Sequence, residues 1–180
     1  MKKVFAILFL TILLLCLIAV VAWYGISFLP HLSELYKIEN QGAAILSSAP
    51  PDLYRIALAA ESRDSIRTYA IRQAYWYLGC KEKPKRMLLW HLNGTLWLVS
   101  SHLHFSEEQV FALWVYYAPY EGGRGLSNAS LHYFNKPLSE LDEQGLAALV
   151  AAARNPKKYG PGTENSQRRI EEILEKVKNS

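Results

Sequence analysis

The sequence predicts a mainly helical domain behind one N-terminal transmembrane helix. The segment from Val4 to Leu29 is almost purely apolar, and after Lys2 and Lys3 the next charged residue is Glu34. In the rest of the 180-residue chain, apolar residues recur at helical spacing in several segments. Apart from one ambiguous segment, no part of the chain reads clearly as a strand. About 150 residues remain after the apolar segment, which is enough to bury the core of one domain.

The apolar segment is long enough to cross a membrane, because about 20 such residues span the hydrocarbon core. The two preceding lysines predict a cytoplasmic N-terminus, with the domain on the other side. The alternative is a signal peptide cleaved before Trp23. Against cleavage, the apolar run exceeds the roughly 7–15 residues of a signal core, and Trp23 and Tyr24 suit a membrane interface. We therefore predict an uncleaved anchor over residues 1–30.

Residues 31–50 either continue the anchor helix or link it to the domain, and we assign them as a linker before a domain at 51–180. Pro50-Pro51-Asp52 signals a helix start. Helices are predicted up to Glu61, over Ile66–Leu78, from Ser106 with a capping-box Gln109, over Leu126–Phe134, from a Ser139 cap to about Arg154, and over Thr163–Lys178.

Two segments interrupt the predicted helices. Met87–Val99 contains Asn93-Gly94, which favours a tight turn, so this segment is either a hairpin or a disrupted helix. Glu121–Gly125 contains three glycines and is predicted to be a turn or loop.

Charge and cysteine content exclude several functions. Without Lys2 and Lys3 the chain has 18 lysines and arginines against 16 acidic residues, which is not the profile of a nucleic-acid-binding domain. Cys16 lies in the apolar segment and Cys80 is alone in the domain, so neither a disulfide nor a cysteine metal site is expected. His102 and His104 alternate without a visible third ligand, and we predict no metal site.

Glu61 is the first candidate for catalysis. It ends an apolar helix, where a partly desolvated carboxylate suits general acid or base work. The structural alternative is an ion pair with the nearby Arg63.

The motifs between Ser106 and Leu174 resemble the peptidoglycan glycosyltransferase (transglycosylase) domain of bifunctional penicillin-binding proteins, glycosyltransferase family 51. The segment Gly125–Lys136 is similar to the family's helix of small residues that ends in Tyr-Phe-Gly-Lys. The family's further motifs follow in the same order: Leu138-Ser139-Glu140-Leu141, Ala147-Ala148-Leu149, Asn155-Pro156, Tyr159-Gly160-Pro161 and Arg168-Arg169.

The resemblance implies a lysozyme-like fold at the outer face of the bacterial inner membrane, acting on a lipid-linked peptidoglycan precursor or a glycan strand. Cell-wall synthesis proteins are possible further partners. It implies Glu61 as the catalytic base and Arg63, Arg124 and Lys136 as substrate-binding residues. No cofactor and no metal ligand are implied, although an active enzyme would be compatible with a divalent cation.

Departures from the family pattern affect the chemistry. The Gly-Ser-Thr-Ile-Thr-Gln-Gln motif is absent, the place of the second catalytic Glu falls near Gly94 by spacing from Ser106, and the family's Asn would fall at Tyr116. The reaction needs a base at one end and stabilisation of charge at the other. Lys85, Arg86 and Arg124 are the basic residues available as substitutes.

Three hypotheses follow. The favoured one is a degenerate glycosyltransferase that binds or scaffolds glycan or lipid-linked precursor. The second is an active, divergent glycosyltransferase with Glu61 as base, of which a peptidoglycan-cleaving enzyme is a variant. The third is a membrane-tethered helical interaction module of unrelated function.

Overall fold

A computed structural model describes residues 2–80 and 87–179, and these are mainly helical. Helix α1 (Lys2–Trp23) continues through a π-turn (Tyr24–Phe28) and a 3₁₀ turn (Leu29–His31) into α2 (Leu32–Ser47). In the described part of the chain this is the one helix that is long and apolar enough to cross a membrane. Buried core helices can pass the same test, but none of the most apolar window is buried here.

The remaining described residues form eight helices, two short 3₁₀ or π segments and one small hairpin. They are α3 (Leu53–Ala60), α4 (Arg63–Ala74) with a π-turn (Tyr75–Gly79), α5 (Met87–His104), α6 (Glu107–Tyr117), β1 (Pro119–Tyr120), β2 (Gly123–Arg124), α7 (Leu126–Phe134), a 3₁₀ turn (Leu138–Glu140), α8 (Glu143–Arg154), α9 (Pro156–Tyr159) and α10 (Ser166–Lys178). The mainly helical prediction is confirmed.

The segment assigned as a linker is part of the folded domain. Within residues 31–50, α2 buries Leu35, Ile38, Glu39 and Gly42, and it packs along α6. In the sequence, the only sign of this packing is the weak amphipathicity of the segment. The apolar helix and the domain are therefore joined by continuous helix.

The ambiguous segment after Met87 is a helix. Asn93 and Gly94 lie inside α5, where the side-chain oxygen of Asn93 accepts a hydrogen bond of 2.8 Å from the indole nitrogen of Trp23. Gly94 is buried, and a Cβ there would lie 3.6 Å from the Tyr75 ring. Tertiary contacts on both residues thus override the local preference for a turn. The hairpin lies instead at Pro119–Arg124 and overlaps the segment Glu121–Gly125, which was predicted as a turn or loop.

The predictions of two helix starts had different outcomes. The capping box of Ser106 and Gln109 is present as predicted. Ser139, in contrast, lies in the 3₁₀ turn, and Asp142 caps α8 by accepting a hydrogen bond of 2.8 Å from the backbone nitrogen of Gly145. The prediction of a Ser139 cap was wrong because the turn inserts three residues before the helix begins.

Helices α6 and α8 form the centre of the core. Seven of the eleven residues of α6 are buried, and every residue from Gly145 to Ala153 in α8 is buried. Small alanine side chains let neighbouring helices approach α8 closely. α3 and α10 both pack on α8, which brings the end of α3 beside α10.

We predict that Gly42→Ala destabilises the domain. A Cβ at Gly42 would lie inside contact distance of the carbonyl oxygen of Ala112 in α6. Overpacking against backbone costs about 1–3 kcal/mol or more. Thermal unfolding of the full chain in detergent, followed by circular dichroism, measures this loss.

Gly94→Ala is the matched control, because its new methyl group makes only an ordinary contact with Tyr75 and alanine favours a helix over glycine. Equal melting temperatures for wild type and Gly42→Ala would contradict the close packing of α2 on α6.

Candidate functional site

Glu61 ends α3 in extended backbone conformation, and its side chain is only 13% exposed. One carboxylate oxygen lies 3.2 Å from Nη1 of Arg154, at the end of α8. The other lies 4.0 Å from Nη2 of Arg169 in α10. Three helices are thus connected through one carboxylate.

Arg169 also holds the end of α3 directly. Its Nη2 donates a hydrogen bond of 2.9 Å to the carbonyl oxygen of Ala60, which has no partner within the helix. Its Nη1 contacts Glu172 at 3.2 Å. The Arg63 pairing that the sequence offered as the structural alternative is absent, since Arg63 is bound to Glu107 at 2.6 Å. Glu61 is nevertheless ion-paired, with partners more distant in the chain.

Glu61 lines a small cavity, and a larger cavity adjoins it. The smaller is lined by Glu61, Ser65, Tyr69, Trp114 and Arg154, among others. The larger, of about 470 Å³, shares Ser65, Tyr69 and Arg154 with it and adds polar side chains of α4: Asp64, Thr68, Arg72 and Gln73. We call the two together the Glu61 cleft. Its lining of hydroxyl, amide and guanidinium groups suits a ligand rich in hydroxyl and phosphate groups.

The other predicted substrate-binding residues lie elsewhere. Arg63 lines a separate cavity of about 90 Å³ with Asp64, Arg67, His102 and Glu107. Lys136 lines a groove of about 500 Å³ between α7, α8 and α10. The structure therefore does not gather Glu61, Arg63, Arg124 and Lys136 into one pocket.

Arg124 packs against three tyrosines. Its guanidinium carbon lies 4.1 Å from the ring centre of Tyr77, and 5.3 and 5.4 Å from those of Tyr116 and Tyr117. Burial raises the pKa of Tyr117 well above its ordinary value, against the opposing charge of Arg124. The Tyr117 hydroxyl therefore stays neutral and cannot pair ionically with the arginine. Cation–π contact is the interaction that holds Arg124 in place.

Gly94, near which the resemblance places the family's second catalytic carboxylate, is buried against Tyr75. α5 as a whole contains no acidic residue. Lys85 and Arg86, named above as possible substitutes, lie outside the described residues. Among residues 2–80 and 87–179, no group of three or more His, Cys, Asp or Glu side chains is placed to hold a metal ion.

Sequence reasoning missed Arg154 and Arg169 as partners of Glu61, and Tyr69 and Arg72 as lining of the cleft. The sequence contained one signal that could have identified Arg169 as a partner. It directly precedes Ile170 and lies one turn before Ile173, both on the buried face of α10. An arginine at the border of such a face is expected to reach inward.

The fold and the cleft define a class: a lysozyme-like helical domain with a carboxylate beside a polar cleft, following a long apolar helix. Comparison with known families identifies the family within this class: the family model described as Transglycosylase matches residues 82–178. The chain belongs to the transglycosylase family, which gives it a glycosyltransferase-like role in the bacterial cell wall. Glu61 lies before the matched segment. A search of curated proteins found no match to the chain.

We predict that Glu61 and Arg169 are energetically coupled. Both side chains are largely shielded from solvent, at 13% and 19% exposure. A double-mutant cycle of Glu61→Gln and Arg169→Ala, scored by urea unfolding, should give a coupling energy of about 1 kcal/mol.

The control cycle uses Glu34 and Lys37, an exposed pair at 3.5 Å on α2, for which about 0.3 kcal/mol is expected. A Glu61–Arg169 coupling no larger than that of the control would remove the structural role assigned to Glu61.

Proposed function

We propose that this protein is a degenerate peptidoglycan glycosyltransferase that binds a glycan strand or lipid-linked precursor at the membrane without polymerising it. The observation that carries the proposal is the state of the two positions at which the resemblance places catalytic carboxylates. One falls near Gly94, in a helix without acidic residues, and the other is Glu61, which lies between two arginines. Neither presents a carboxylate free to act.

The pairing of Glu61 bears directly on the base function. A general base must reach the acceptor hydroxyl with one of its oxygens, at about 2.6–3.2 Å. Here one oxygen is bound by Arg154 and the other faces Arg169. Deprotonating a sugar hydroxyl would require at least one of these contacts to open. The contact with Arg169 opens at a cost to α3, because the same guanidinium caps that helix.

Binding surfaces remain although the catalytic pair is missing. In the Glu61 cleft, Arg72 makes no ion pair with any described residue and is available to a phosphate, while Thr68 and Gln73 offer hydrogen bonds to hydroxyls. Lys136 lies in a second groove with Glu140, Asp142 and Gln144, a lining suited to a hydroxyl-rich glycan. We retain Lys136 as a proposed glycan contact and add Arg72 as a proposed phosphate contact. The roles of Arg63 and Arg124 are proposed on the resemblance alone.

The proposed location is the bacterial inner membrane, with the N-terminus in the cytoplasm and the domain outside. The apolar helix α1, its two N-terminal lysines and the aromatic pair Trp23 and Tyr24 support this arrangement. A lipid-linked precursor is available only at that membrane, so an anchor that keeps the domain there raises the local concentration of ligand.

An active enzyme is the second candidate, and one observation favours it: Glu61 borders the cleft rather than lying beneath the core. Incubation of purified full-length protein with labelled lipid-linked disaccharide precursor distinguishes an active enzyme from a degenerate one. We expect bound precursor and no polymer, while an active member of the family run in parallel makes polymer. Polymer made by the wild type and lost in Glu61→Gln would overturn the degenerate assignment. Neither polymer nor binding would favour the unrelated interaction module.

We predict that Arg72→Ala weakens precursor binding about tenfold, since hydrogen bonds to charged groups contribute about 1.5–3 kcal/mol. The test is the dissociation constant for labelled precursor, measured in detergent for the wild type and the variant. Arg168→Ala is the control, because it removes another exposed arginine, from α10 outside the cleft. Equal losses in both variants would indicate non-specific charge attraction rather than binding in the Glu61 cleft.

A further inference from the structure

The cavity of about 90 Å³ that Arg63 lines also contains a buried arginine, Arg67, and we call it the Arg67 pocket. Only 9% of Arg67 is exposed, although arginine is almost never buried unless it is paired. No carboxylate of residues 2–80 and 87–179 lies within ion-pair distance of its guanidinium. A buried charge is costly without an ionic partner, so the pocket offers a position for an anion.

Neutral acceptors fix the guanidinium of Arg67 in place. Its Nη1 donates a hydrogen bond of 3.4 Å to the Ser101 hydroxyl, and its Nη2 donates one of 3.3 Å to the carbonyl oxygen of Phe105, just after α5. Both bonds are long, and an arginine has five N–H donors. Burial lowers the pKa of Arg67, against the charges of Glu107 and Asp64, but an arginine stays protonated. The cation is therefore oriented before a ligand arrives, which reduces the entropic cost of binding.

The charges around Arg67 favour one carboxylate over a phosphate. Glu107 is bound by Arg63 at 2.6 Å, and with side chains 47% and 63% exposed this pair forms the rim of the pocket. Asp64 is a second negative charge in the lining. A phosphate carries up to two negative charges and would be repelled by both acids. A carboxylate needs only one counter-charge, and it matches the two parallel donors of a guanidinium.

The remainder of the lining selects what is attached to that carboxylate. It is apolar or aromatic and consists of Tyr54, Leu58, Ile66, Val110 and Phe111. The rings of Tyr54 and Phe111 pack edge-on with centres 4.8 Å apart, which makes this side of the pocket rigid. The volume is far below the roughly 300–1,000 Å³ of pockets that enclose a whole small molecule. The pocket thus fits one end of a longer ligand, and a free carboxylate beside a short apolar side chain is the end of a peptide.

The Arg67 pocket adjoins the Glu61 cleft at the start of α4. Asp64 lines both, and Arg67 of the pocket is followed in the chain by Thr68 of the cleft. A single ligand can therefore occupy the cleft and extend past Asp64 into the pocket. Peptidoglycan is a glycan that carries short peptides, so its precursor offers sugar, phosphate and peptide groups in one molecule.

We propose that the Arg67 pocket binds the C-terminal carboxylate of the peptide that a peptidoglycan precursor carries, while sugar and phosphate groups occupy the Glu61 cleft. This rests on the proposed function and adds the peptide to the groups that the domain recognises. A peptide of the precursor is favoured over the C-terminus of a separate partner protein because the pocket and the cleft share Asp64.

The test compares two ligands on the unaltered full-length protein in detergent. Labelled lipid-linked precursor is prepared with the C-terminus of its peptide either free or capped as an amide, which removes the charge and changes little else. We expect the free form to bind about tenfold more tightly, because a hydrogen bond to a charged group is lost in the capped form. Dissociation constants for both forms are measured at the same ionic strength.

Two variants then locate the preference for the free form. Arg67→Gln removes the charge, and Leu58→Phe narrows the pocket while it leaves Arg67 in place. We expect either variant to bind the free form as weakly as the capped one, with the affinity for the capped form unchanged. Arg55→Gln is the control, because it removes a half-exposed arginine outside the pocket and should keep the tenfold preference. Circular dichroism identifies variants that lose helical content, and Leu58→Phe serves alone if Arg67→Gln does not fold.

The outcomes separate this inference from the proposed function. Equal binding of both forms by the unaltered protein overturns the inference, while precursor binding itself stands. A preference for the free form that survives in both variants places the carboxylate elsewhere and also overturns it. If neither form binds, the proposed function fails and the inference fails with it. Binding of N-acetylated alanyl-alanine without binding of precursor would instead indicate the C-terminus of a partner protein, which contradicts the inference.

Discussion

The contact of Gly42 with the backbone of Ala112 is the constraint on which the rest of the molecule depends. Without a side chain at that position, α2 lies directly against α6, the helix at the centre of the core. Because α2 is continuous with α1, the same contact fixes the apolar helix relative to the domain. A tether of flexible residues would leave the domain free to turn over the membrane surface. Helical continuity and close packing instead fix the orientation of the domain relative to the apolar helix α1.

Glu61 shows how the contacts that stabilise a shielded carboxylate also limit its chemistry. Under the proposed assignment it stands at the position of a catalytic base, and in the structure it joins the ends of α3 and α8 to α10. A partly shielded carboxylate is stable only when its charge is compensated. Arg154 and Arg169 supply that compensation, so the same contacts that stabilise the residue oppose its use as a base. Selection for stability alone would be sufficient to keep such a residue.

The sequence predicted the helical class and most helix boundaries because those depend on local signals, such as the capping box at Ser106 and the glycines after Tyr120. Three features depended on contacts between distant residues and were left open or missed. Asn93-Gly94 favours a turn locally, but the Trp23 indole and the Tyr75 ring hold both residues in a helix. Similarly, the composition of α2 resembles that of a linker, and only its packing against α6 shows that it belongs to the folded domain. At the site, Glu61 was identified, but its partners lie 93 and 108 residues further along the chain, where spacing carries no information.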